Sequence, residues 1–156
     1  MTHPPDLSGG SGFTFGDVVA SFFLAALLGE GSAPGLNNRI VCQVAFEQAN
    51  VGEPLDDLII DGIARDGSQM RFSVQNKREI RISAAATNND FRETIVRAWR
   101  TVNNAGFREN IDRVGLITGT VAEAPGRDFR DICEWARGSE SADSVDFHRD
   151  VTRDFH

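Results

Sequence analysis

In the stretch "FSVQNKREI", Gln75 and Lys77 stand two residues apart and offer an amide oxygen and an ammonium group. Upstream, "PLDDLIIDG" supplies carboxylates at Asp56, Asp57 and Asp61. Carboxylate and amide oxygens are the ligands a hard cation takes, and Mg2+, which keeps several of its waters, suits a small set of them. A lysine beside such a cation can hold or help deprotonate an attacking water and offset charge developing on a phosphate. Rival chemistries lack their residues. His3, His148 and His156 all lie in the tails, which removes a Ser-His-Asp triad and histidine-bound zinc. There is no Gly-rich loop of Walker type.

A hairpin has to bring these groups together. Period-two alternation in "QMRFSVQNKREIRI" sets Met70, Phe72 and Val74 on one face and Arg71, Ser73, Gln75 and Lys77 on the other. "DDLIIDGIA" is the preceding strand, and the Asp-Gly in "RDGS" between two apolar runs is a strong hairpin signal. A turn at residues 65–68 carries Asp57 or Asp61 to the neighbourhood of residues 72–77, where a carboxylate and an amide oxygen can converge on one cation. Asp61 and Asp66, next to Gly62 and Gly67, otherwise read as turn chemistry.

The remaining elements frame that hairpin. Residues 1–12, rich in Pro, Gly and Ser, are expected to be a disordered tail. "FTFGDVVASFFLAALLGEG" predicts a helix opening near Thr14 or Asp17 and ending at Gly29 or Gly31 in a left-handed cap; apolar almost all round, it should be heavily buried. "RIVCQVAFEQ" alternates as a strand with Ile40, Cys42, Val44 and Phe46 on one face. "TNNDFRETIVRAWRTVNNAG" is an amphipathic helix capped by Asn89 or Asp90, with Phe91, Ile95, Ala98, Trp99 and Val102 as its apolar stripe. "DRVGLITGT" is a short apolar strand suited to a buried position, and "PGRDFRDICEWAR" a helix with Phe129, Ile132, Cys133 and Trp135 or Ala136 inward. Trp99 and Trp135 both read as core. The order α-β-β-β-α-β-α gives one α/β domain with a mixed sheet over residues 13–137. Residues 138–156 read as a linker and the start of a further helix, with Val145 or Phe147, Val151 and Phe155 at helical spacing, leading into a longer protein.

Composition sets outer limits. A chain of 156 residues holds one domain with a real core. No apolar run approaches the roughly 20 residues that span a bilayer, and the N-terminus lacks the basic-then-apolar pattern of a secretory signal, so a cytoplasmic chain without a membrane partner is expected. Cys42 and Cys133 are expected to be buried thiols. The net charge of −7 argues against a nucleic-acid binder, but it is unevenly spread. Residues 71–108 hold eight basic and three acidic side chains, a local +5 that leaves −12 to the rest. One attractive face on an acidic body is the result.

An acidic residue at the start of one strand, then "QxK" near the end of the next and a helix after it, resembles the PD-(D/E)xK nuclease superfamily. The resemblance is to its glutamine variant, found in Mrr-like restriction nucleases and in N-terminal domains of bacterial antiphage defence proteins. It covers residues 13–120 and rests on Asp57, Gln75 and Lys77. It implies a restriction-endonuclease-like fold, Mg2+ (or Mn2+) bound by Asp57 and Gln75, and Lys77 serving the water. It also implies a further acidic ligand, for which Glu47 is the candidate and Asp17 the reserve. Asp57 is preferred over Asp56. The implied activity is endonucleolytic cleavage of double-stranded DNA, RNA remaining open, with the chain as N-terminal effector of a longer protein. The missing C-terminal region would sense a trigger or drive homo-oligomerisation. Arg78, Arg81, Arg92, Arg97 and Arg100 would hold the phosphate backbone without reading sequence. Glutamine in place of the usual carboxylate removes one negative ligand. Two rivals stand beside this reading: a relative with a degraded site that serves as an interaction or assembly module, and a nucleic-acid-binding domain that does not cleave.

Overall fold

A computed structural model of the chain describes residues 7–48, 52–83 and 85–138, with the side chains of residues 7–14 and 135–138 left aside. The expected inward position of Trp135 or Ala136, and the helix start after residue 138, lie outside what is described. The elements are α1 (Leu7–Leu28), β1 (Ile40–Phe46), β2 (Leu58–Ile63), β3 (Gln69–Glu79), α2 (Asn89–Val102), β4 (Arg113–Thr120) and α3 (Glu123–Gly138). The sheet runs β1-β2-β3-β4, antiparallel at the first two junctions and parallel between β3 and β4. This is the α/β mixed sheet in the order expected.

The β2–β3 hairpin closes as its turn chemistry requires. Gly67 takes φ +83°, and the Asp66 carboxylate accepts the Ser68 N–H at 2.9 Å. Asp61 is different. It lies within β2 opposite Arg71 and takes that guanidinium bidentately at 2.9 and 3.2 Å, so it is a cross-strand ion-pair residue and not part of a turn.

The core lies between α1 and one sheet face, where Val19 and Phe23 meet Leu36, Val41, Leu58, Ile60 and Val74. Several apolar patterns resolve differently from their sequence reading. α1 begins at Leu7, earlier than expected, and its left-handed residue is Glu30 (φ +49°) and neither glycine. Only one side of α1 is covered: Val18, Phe22 and Leu28 are 62, 53 and 86% exposed. In β1 a bulge at Cys42, between the Val41–Gly62 and Gln43–Asp61 pairs, switches faces, so Val41 enters the core while Ile40 and Cys42 are exposed. The two cysteines are not the buried thiols expected: Cys42 is exposed and Cys133 half-buried. β4 lies at the sheet edge and is half-covered, because only β3 pairs with it.

α2 is turned away from its apolar stripe. Its buried residues are Thr94 and Thr101, while Ile95 is 42% and Trp99 68% exposed. Polar contacts select the inward face. The Thr101 hydroxyl accepts the N–H of buried Leu55 at 3.2 Å, and Arg97 reaches Asp56. Phe91 instead meets Phe129 of α3 edge to face, with ring centroids 5.4 Å apart.

Two side-chain contacts reinforce the parallel β3–β4 ladder. Phe72 packs so closely on Gly115 that a Cβ there would lie 2.6 Å from its ring. Asp112, 7% exposed, accepts the Arg71 N–H at 2.8 Å, the Arg108 N–H at 3.0 Å and the Arg108 guanidinium at 2.6 Å. Burial alone would raise its pKa, but the Arg108 side chain and the two backbone donors outweigh it and hold the carboxyl below the ordinary aspartate range.

Gly115→Ala should cost about 1–3 kcal/mol by overpacking. Gly16→Ala, with nothing within 4 Å of the added Cβ, should be neutral or stabilising in urea denaturation. Asp112 titrates lower in the folded chain than unfolded, so its stability is present above about pH 4 and lost as pH falls through the folded value. Asp112→Asn should lower stability at pH 7 by about 1–3 kcal/mol and flatten the fall of the urea midpoint as pH drops below about 4.

Candidate active site

Three strand ends meet at one edge of the sheet: the end of β1 at Phe46, the start of β2 at Leu58 and the last third of β3. The β1–β2 register puts Phe46 opposite Leu58, and the backbone continues the pairing, with Gln48 N–H donating to the Asp56 carbonyl at 2.9 Å. Leu58 opposite Val74 is the last β2–β3 pair. Beyond it Gln75, Asn76 and Lys77 keep β4 as a neighbour but have no β2 residue beside them.

Asp57 fills that gap with its side chain. Its Oδ2 accepts the Asn76 backbone N–H at 2.7 Å and a hydrogen bond from Gln75 Nε2. A strand N–H that would otherwise lack an acceptor is thereby satisfied by a carboxylate. Gln75 is only 5% exposed, and its Oε1 has no partner among the described residues; the Asn76 Oδ1 is likewise buried and unpaired. Of the adjacent aspartates, it is Asp57 that reaches Gln75. Asp56 turns to α2 and accepts Arg97 Nη1 at 2.7 Å.

Asp57, Asn76 and Lys77 line a cleft of about 810 Å³ together with Glu47, Phe46 and Arg78, and α1 closes it with Phe15, Asp17, Ala20 and Leu24. Glu47 and Asp17, the two candidates for a further acidic group, therefore share the cleft with Asp57 and Lys77. Glu47 adopts φ +48°, an uncommon conformation for a non-glycine residue that turns the chain sharply at the cleft wall. Among the described residues no three His, Cys, Asp or Glu side chains converge on one point. A cation here would draw on at most two carboxylates, with amide or backbone oxygens and water completing its shell. Gln75 sets its Nε2 against Asp57 and keeps its Oε1 buried without a partner among the described residues; an amide oxygen of that kind is one Mg2+ takes, so the residues fit a hard cation.

The basic residues divide into two groups. Arg97 is committed to Asp56 and, at 3.0 Å, to Glu93. The Glu93 hydrogen bond, opposed by burial and reinforced by the charges of Asp56, Glu93 and Asp57, lifts its pKa above the usual arginine value. It fastens α2 to the segment before β2. Arg71 and Arg108 are likewise paired, with Glu53 and Asp61 and with Asp112. Lys77, Arg78, Arg81, Arg92 and Arg100 make no ion pair among the described residues; Lys77 and Arg78 lie in the cleft, and the other three are exposed. Sequence reasoning missed the Asn76 N–H and the Arg97–Asp56 tie. Neither leaves a signal in residue type: the first depends on where the β2 ladder stops, the second on which face α2 turns inward.

No family model, curated protein or solved structure matches this chain.

Asp57→Ala strips the acceptor from two half-buried donors and should cost about 1–3 kcal/mol in urea denaturation. Asp57→Asn keeps an oxygen for Asn76 N–H and should cost distinctly less; equal losses would mean that the carboxylate does not bridge these donors.

Proposed function

We propose that the chain is a Mg2+-dependent nuclease domain that hydrolyses phosphodiester bonds in double-stranded DNA. The observation that carries this reading is the joining of Asp57 and Gln75 across the β2–β3 hairpin, with Asp57 and Lys77 both on the wall of the cleft. Asp57 and Gln75, with Glu47 across the cleft, would hold the cation. When bound, the cation supplies a lowered water pKa and an electrostatic clamp on the phosphate. Lys77 orients the attacking water through its ammonium and offsets charge that grows on the phosphate oxygens. Arg78, on the cleft wall, and Arg81, just beyond β3, are placed to take the flanking phosphates. Arg92 and Arg100 extend a weaker positive surface along α2, while Arg97 serves as a positioning residue through Asp56. Attachment to a longer defence protein belongs to this same reading.

A second reading, that of an interaction module, draws on the exposed Val18, Phe22 and Leu28 of α1 and Ile95 and Trp99 of α2. The two readings separate on one assay. Supercoiled plasmid is incubated with the chain and Mg2+, Mn2+ or EDTA, beside Lys77→Ala and Asp57→Ala variants. The nuclease reading expects metal-dependent nicking that falls about 10²-fold or more in both variants. Nicking that survives both substitutions would place the site elsewhere, and no nicking by native protein would favour the interaction module.

A further inference from the structure

Gln75 carries a feature that a simple pair of ligands does not require. The residue is 5% exposed, it donates Nε2 to the Asp57 carboxylate, and its Oε1 is buried with no partner among the described residues. A carboxylate and an amide oxygen repel when they face each other directly, so without a cation the amide must present its NH2 group to Asp57. Two oxygens can share the approach only when positive charge lies between them.

We propose that Gln75 is a cation-operated latch. Without metal its amide locks the Asp57 carboxylate in a neutral hydrogen bond. Cation entry turns the carboxamide about its terminal bond, so that Oε1 faces Asp57 across the ion and Nε2 takes the place of the unpaired oxygen. The inference rests on the nuclease reading for the identity of the cation, but not on cleavage. The Asn76 N–H keeps its bond to Asp57 in both states and holds the carboxylate in place while the amide turns. A glutamate here could not form the closed state, since two carboxylates would face each other with no proton or metal between them. Glutamine thus gives up some affinity and in exchange keeps the cation-free site stable.

The test follows the Gln75 side-chain amide by proton–nitrogen NMR in the full 156-residue chain, its resonance pair assigned by its loss in Gln75→Glu. Mg2+ is titrated, then removed with EDTA. The latch expects a slowly exchanging, hydrogen-bonded amide without metal. On saturation the pair should shift and exchange about 10-fold faster or more as its bond to Asp57 is lost, and EDTA should reverse this. In parallel, Gln75→Glu should unfold at a lower urea concentration than native chain in EDTA and regain that difference in Mg2+, with Mg2+ bound about 10-fold tighter or more as ligand charge rises. Backbone shifts at Asp57 and Asn76 with an unmoved Gln75 amide would overturn the latch while leaving the cation site intact. Absence of any Mg2+-dependent shift would overturn both. Plasmid nicking with an unmoved amide would sink the latch alone.

Discussion

The point at which the β2–β3 ladder stops governs much of what surrounds it. β2 ends its pairing at Leu58, yet β3 runs on to Glu79 with β4 alongside. A strand extending past its neighbour leaves backbone donors exposed to an apolar interior unless something takes them. Asp57 does so with a carboxylate, and this fixes the aspartate beside Gln75 and at the mouth of the cleft. The same over-extension carries Lys77 past the core. Val74, three residues earlier, is fully buried; Lys77 is half-buried and open to the cleft.

Part of the charge in this molecule is spent internally. Arg71, Arg97 and Arg108 account for three of the eight basic residues between 71 and 108, and each is held by carboxylates of the acidic remainder. These pairs are partly exposed and individually worth little. Their value is geometric: Arg97 ties α2 to Asp56 and so steadies the residue before Asp57, while Asp112 ties the start of β4 to β3. The basic surface that remains is narrower than the composition implied and is concentrated at the cleft and along the outer side of α2.

Apolar surface is distributed less tidily. α1 presents Val18, Phe22 and Leu28 outward, and α2 presents Ile95 and Trp99. In α2 the apolar stripe lost the contest for the inner face to Thr94, Arg97 and Thr101, because the segment before β2 offers a backbone N–H and a carboxylate that need partners. An unpaired buried polar group costs about 1–3 kcal/mol, the same order as the gain from burying one large apolar side chain, so these partners weigh as heavily as the stripe.

The element order, the hairpin and its turn, and the alternation that put Gln75 and Lys77 on a common face were legible in the chain, because they rest on local periodicity and on Asp-Gly turn chemistry. So was the proximity of an aspartate to Gln75, which follows from counting residues across a short turn. That Asp57, already preferred over Asp56, is the aspartate bonded to Gln75 depends on tertiary structure. Asp61 was claimed by Arg71 across the strands and Asp56 by Arg97 from 41 residues away. Neighbours so distant in sequence leave no local pattern. The faces of α1, β1 and α2 were decided the same way. Periodicity names the apolar side of an element but not what stands opposite it, and here a bulge at Cys42 and the polar demands of residues 55–56 settled the outcome.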